Sequence, residues 1–145
     1  MFQHILLPLD GSPVSRKAAN KAIALARAAG ARITAYHALG SGPRSVYGDG
    51  YRLPSRRSTR KELRAARAEW FEGVARAARG AGVRFATAVE RAFTPEDGIV
   101  SAARKRNCDL IVIGSHGRRG VARLAFGSVA EKVIARSAVP VLVYR

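Results

Sequence analysis

Two short stretches hold the residue types that could do chemistry. The first is "GSHGRRGVARLAFGSVAEKV", residues 114–133, where Gly114, Gly117, Gly120 and Gly127 follow the apolar run Leu110-Ile111-Val112-Ile113. Glycine loses more conformational freedom on folding than any other residue, so this density asks for a use of bare backbone. Ser128 with Glu131 three residues later is a capping-box pattern and predicts a helix starting at Ser128. A helix N-terminus presents unpaired N–H groups and positive potential, which suit a phosphate. Gly114 and Gly117 would let a second stretch of main chain approach the same anion, and Arg118 and Arg119 add fixed positive charge. The residues thus suggest a main-chain cradle for polyphosphate, although turns and simple helix capping would use the same residues with no ligand. Neither GxxxxGK[ST] nor a GxGxxG after a first strand is present.

The second stretch is Asp10-Gly11-Ser12. Asp-Gly is good turn chemistry, and the Asp10 carboxylate is equally an acceptor for a ligand. His37 falls at the end of a predicted strand and reads as a packed, hydrogen-bonded side chain. His116 sits inside the glycine stretch, within reach of a phosphate or facing solvent; His4 points to no chemistry. No Ser/His/Asp set or carboxylate pair stands out, and the three histidines and Cys108 are not at metal-ligand spacing. Phosphoryl transfer would need Mg²⁺ carboxylates and a positioned base, but Asp10 is the one carboxylate in these two loops. The expectation is binding without brisk turnover, with slow hydrolysis or autophosphorylation left open. No catalytic residue and no metal ligand is assigned.

The elements that would position these loops alternate short apolar runs with longer amphipathic ones. Residues 4–9 read as a buried strand. Ser12 and Pro13 then open a helix as N-cap and first residue, and Gly30 closes it. Residues 32–38 give a second strand. From Leu39 to about Ser58 runs a long polar connection rich in glycine, a length usually functional or mobile. A helix over about 59–79 carries Leu63, Arg67, Trp70, Val74 and Ala77 on one face. A strand over 83–89 follows, then a helix capped by Thr94, with Pro95 at its first position and Asp97 placed to reciprocate. "DLIVIG" is the fourth strand, 128–136 the last helix and 139–144 the fifth strand. The pattern predicts one α/β domain over 1–145, doubly wound, with a mainly parallel five-stranded sheet covered on both faces. Ligands in such sheets settle beyond the strands' carboxyl ends where strand order reverses.

Composition narrows the class. A chain of 145 residues can bury a real core. The opening residues lack a signal-peptide pattern, and no stretch reaches membrane-spanning length. A single cysteine, Cys108, suits a reducing cytoplasm and reads as a small filler at a strand entrance. The 26 basic residues outnumber 10 acidic ones, a formal charge of +16 that would attract phosphates, including nonspecific nucleic acid. Because 21 of the basic residues are arginine and they are spread along the chain, a compositional habit explains the same charge.

The spacing Gly114, two residues, Gly117, nine residues, Gly127-Ser128 resembles the nucleotide-binding signature of the universal stress protein family. "HILLPLDGSPVSRKAANKAIALA" is similar to that family's opening, and "DLIVIGSHGRRGVARLAFGSVAEKVIARSAVPVLVYR" to its closing half. The resemblance implies a strand order of 3-2-1-4-5, which brings the first and fourth strands together. It also implies ATP, with or without Mg²⁺, as ligand. Asp10 would hold the ribose hydroxyls, while Pro8, Leu9, Ala38 and the backbone at Ile113 and Gly114 would surround the base. Gly117, Arg118, Gly127, Ser128 and Val129 would meet the phosphates. Members commonly have valine where Ala38 stands, which would enlarge the base pocket here. Family dimers pair their last strands, so Val139, Val141 and Val143 would form an apolar row facing a second copy. The implied protein is a cytoplasmic stress-response regulator acting as a homodimer on an unknown protein partner.

Overall fold

Local punctuation sets most of the helix ends. Ser12 Oγ accepts the Ser15 N–H at 3.1 Å with Pro13 at the first turn, and Gly30 closes the helix at φ +68°. Thr94 Oγ1 likewise accepts the Asp97 N–H at 3.1 Å. The Asp97 carboxylate does not reciprocate as expected; it pairs with Arg136 at 2.5 Å, because a full charge partner outcompetes a backbone N–H.

The computed structural model describes residues 1–40, 60–116 and 126–145, with the backbone alone at 60–64 and 66. Along the chain stand β1 (His4–Pro8), α1 (Pro13–Ala29), β2 (Arg32–Gly40), α2 (Arg60–Gly80), β3 (Phe85–Ala92), α3 (Pro95–Lys105), β4 (Leu110–Gly114), α4 (Ser128–Arg136) and β5 (Val141–Tyr144). The five strands form one sheet in the order β3-β2-β1-β4-β5 with every pair parallel. The doubly wound α/β architecture is therefore as expected, and β1 meets β4 with Ile5 opposite Leu110.

Three local expectations are corrected. β2 runs on through Leu39 and Gly40, which pair with Arg91 and Ala92 of a β3 that ends three residues beyond Val89. The two strands lengthen together because each supplies the other's ladder bonds. β5 begins at Val141 rather than Val139, since the Ser137 hydroxyl engages both the N–H and C=O of Val139 in a local turn. The face that α2 buries is Phe71, Val74, Ala75 and Ala78, with Ala77 exposed.

Alternation along the strands divides the core in two. Ile5, Leu7, Leu9 and Val112 face α1 and α2, whose contribution includes Ala22, Ile23, Phe71 and Val74. Leu6, Ala38, Ile111 and Ile113 face α3 and α4 through Ile99, Ala102, Ala130 and Val133. Burial at this scale stabilises each large aliphatic side chain by about 1.5–3 kcal/mol. Asp109, just before β4, clasps the chain's start by accepting the N–H groups of Gln3 at 2.8 Å and His4 at 2.9 Å. Burial pushes that carboxyl upward, but these two N–H groups, together with its own N–H and the charge of His4, hold it below its ordinary value. Among the described residues no helix is long and apolar enough to cross a membrane.

Candidate functional site

The turn after β1 is built by its own side chains. Leu9 N–H extends the ladder to the Tyr36 carbonyl at 2.8 Å, and the Leu9 carbonyl accepts from His37 Nδ1 at 2.7 Å. The half-buried Asp10 then accepts the Ser12 N–H through Oδ1 at 2.9 Å, carrying the chain through Gly11 at φ +79° into α1. Asp10 is both a turn former and a carboxylate held in one orientation at the end of β1.

Gly11 has a second constraint that sequence did not reveal. A Cβ there would lie 2.3 Å from the indole of Trp70, which reaches over from α2. Trp70 in turn meets His37 edge-on, with ring centres 5.6 Å apart at 75°. His37 is buried and hydrogen-bonded as expected.

The other half of the site follows β4. Gly114 is tight against α1: an added Cβ would meet Val14 Cγ1 at 2.9 Å, so this glycine clears a path for the helix that starts after Asp10. Ser115, 1% exposed, donates its N–H to Tyr144 at 2.7 Å and accepts the Gly127 N–H at 2.5 Å. Its hydroxyl lies 2.8 Å from His116 Nδ1. One peptide neighbourhood thereby joins the end of β4, the end of β5 and the start of α4.

At α4 the capping expectation is corrected. The N-cap is Gly127, with φ −70° and ψ 158°, and no side chain caps the helix. Ser128 is the first helical residue and exposed, so its hydroxyl has lost the geometry for capping. The Glu131 N–H bonds the Gly127 carbonyl at 3.0 Å. The amides of Ser128, Val129 and Ala130 come before it, in the turn that has no helical carbonyl to bind.

Asp10, Gly114 and Gly127-Ser128 therefore flank the crevice between β1 and β4. The side chains of Leu9 and Ala38 lie in opposite cores, on opposite faces of the sheet. Ala38 and Ile113 share a face, and Ala38 Cβ is 3.4 Å from where a Gly98 Cβ would stand. Pro8 is buried at the end of β1 opposite Tyr36. Gly117 and Arg118 fall outside the described residues, as does most of the long connection, 41–59. Among the described residues no three of His, Cys, Asp and Glu gather as a metal site. Cys108 is buried, and burial pushes its thiol up to about 11, so it packs rather than reacts.

The model of the universal stress protein family matches residues 1–145. A universal stress protein of Thermus aquaticus is 35% identical, with all of both chains covered. Among solved structures the chain is similar to the hypothetical protein MJ0577 at a TM-score of 0.81 and 24% identity, over 99% of this chain and 96% of that one. It also superposes on an Archaeoglobus fulgidus universal stress protein in complex with dAMP, TM-score 0.70, 21% identity, 100% and 98% covered. A further universal stress protein, in complex with cAMP, gives 0.71 at 23% identity, with 98% and 95% covered.

Proposed function

The chain belongs to the universal stress protein family, and from that premise we propose that it is a small ATP-binding regulator of the stress response. The nucleotide lies in the β1–β4 crevice. The observation that carries this is the Ser115–Gly127 bond, which sets the end of β4 beside an α4 N-terminus that no side chain caps. Such a terminus attracts phosphate through its free amides and its dipole. Ser128 and Val129 take the phosphates through their N–H groups, joined by Gly117 and Arg118, while Gly127, whose N–H is spent on the Ser115 carbonyl, adds only a bare backbone at the approach. Asp10, oriented by Ser12, accepts from the ribose hydroxyls; Ala38 and Ile113, on one face of the sheet, border the base, with Pro8, Leu9 and Gly114 meeting it only through the main chain at the strand ends. The dAMP- and cAMP-bound relatives support an adenine nucleotide as ligand. Mg²⁺ would accompany the phosphates.

The protein acts in the cytoplasm as a homodimer. β5 lies at the sheet edge, bonded to β4 alone among the described strands, and an open edge invites a second copy. Val139, Val141 and Val143 rest half-buried against the α3–α4 core, while Leu142 points to the other face and is 46% exposed. A nucleotide bridging the Asp10 turn and the α4 start alters the surface offered to a protein partner.

Calorimetric titration with ATP tests the site. Asp10→Ala removes hydrogen bonds to a charged group, each about 1.5–3 kcal/mol, and should weaken ATP by about ten- to a hundredfold. Unchanged affinity in that variant, or no binding at millimolar ATP in the parent, would overturn the assignment. A turnover assay with Mg²⁺ on the same preparations reads hydrolysis separately from binding.

A further inference from the structure

Among the described helices, α1 carries bases and no acid, whereas α2, with Arg79 on Glu72 at 2.9 Å, and α3–α4 hold ion pairs. On the α3–α4 side two ion pairs join the helices, Lys132 reaching the buried Glu96 at 3.1 Å and Arg136 reaching Asp97 at 2.5 Å, while Arg104 and Lys105 stay exposed. At the neighbouring sheet edge Arg106 pairs with Glu90 at 2.6 Å. α1, on the other face, holds Arg16, Lys17, Lys21 and Arg27 and no acidic residue. All four are exposed, and none has an ion-pair partner among the described residues. The exposed positions among and just after them are Asn20, Ala24 and Ala28, too small to hold a phosphate backbone away.

We infer that the exposed side of α1 is a docking surface for the phosphate backbone of double-stranded nucleic acid. A helix of 17 residues is about 25 Å long, enough to lie along several successive phosphates. The apolar residues of α1, including Ala18, Ala22, Ile23 and Ala26, are consumed by the core, so nothing is left to insert into a bilayer. Single strands are gripped by exposed aromatic platforms, but Trp70 on this layer is engaged with Gly11 and His37, and the half-buried Tyr144 ring sits 5.9 Å from the Lys21 ammonium. What remains is chiefly positive charge along one side of a helix, which suits a duplex backbone read without sequence. This surface adjoins the crevice at the start of α1, but it does not depend on the nucleotide reading.

The test is fluorescence anisotropy with a short mixed-sequence DNA duplex, on the full-length protein. Neutralising up to four phosphates predicts a log–log salt slope of about −3 to −4, or about a hundredfold loss between about 50 and 200 mM salt. Arg16→Glu with Lys17→Glu should weaken binding by about tenfold or more relative to Arg104→Glu with Lys105→Glu, a matched charge reversal at exposed positions of α3. If the α1 reversal disturbs folding, seen by circular dichroism, Arg16→Gln with Lys17→Gln keeps the helix and should show the same ranking. Asp10→Ala should bind duplex like the parent while losing ATP, which separates the two proposals. Equal losses in the α1 and α3 variants would reduce the effect to net charge and overturn the inference. Binding of phosphatidylglycerol vesicles but not duplex, or preference for the single strand, would overturn it too.

Discussion

Gly98 shows how one residue's missing side chain can be a packing requirement. An alanine in a helix interior normally gains about 1 kcal/mol over glycine. Here the added methyl would stand 2.4 Å from Tyr36 Oη and 2.8 Å from Ala92 Cβ. Tyr36 is 1% exposed and has nowhere to retreat. Gly98→Ala should therefore destabilise, by about 1–3 kcal/mol as overpacked sites do, read as a lower thermal midpoint; a rise would show that α3 slides freely. Contacts of this kind were invisible in the sequence. The same holds for Trp70 over Gly11 and for the three-way role of Ser115, because each joins segments far apart along the chain. Asp10 and Gly127-Ser128 were legible because turn chemistry and spacing are local.

At the scale of elements, among the described helix starts α1 and α3 are closed by a side chain and α4 is left open. Ser12→Ala and Thr94→Ala each remove a capping acceptor and should cost about 1 kcal/mol. Ser128→Ala removes an exposed hydroxyl that caps nothing and should stay within about 0.5 kcal/mol. Urea unfolding of the three variants checks this, and a full capping loss at Ser128 would contradict the geometry of α4. The S-x-x-E pattern located the helix to the residue but named the wrong cap, because Gly127 already has the extended ψ of 158° that a cap needs. The α/β class followed from the alternation of short apolar and longer amphipathic runs, and the strand order from the resemblance. The ends of β2 and β3 did not, since their last ladder bonds depend on each other. On α2, the sequence placed Ala77 in the stripe where Ala78 belongs, a rotation too small for periodicity to fix in so alanine-rich a helix.

For the molecule as a whole, pH dependence should be traceable to His4. Its Nδ1 donates to the Arg106 carbonyl at 3.1 Å, and Nε2 lies 2.8 Å from the Thr34 hydroxyl, a set that suits the neutral ring. Burial, aided by the charge of Arg32 and by Arg106, lowers its pKa below 6.5; the Arg106 carbonyl and Asp109 oppose this without reversing it. Below pH 6.5 the unfolded chain takes up a proton that the folded chain resists. The stability due to neutral His4 is thus complete above that value and declines as pH falls, levelling off once the folded histidine also protonates. Thermal midpoints of the parent should fall more steeply below pH 6.5 than those of His4→Gln; parallel curves would refute the assignment.

Ser115 hands its amide to the last residue of β5 and its carbonyl to the residue before α4. The two bonds leave the same residue in opposite senses, so a load on the terminal strand is felt where the helix begins, with no side chain as courier. Anything that lifts or seats that strand, from a fused tag to a docking protomer, tugs on the anchor of α4. Edge and crevice are geared together.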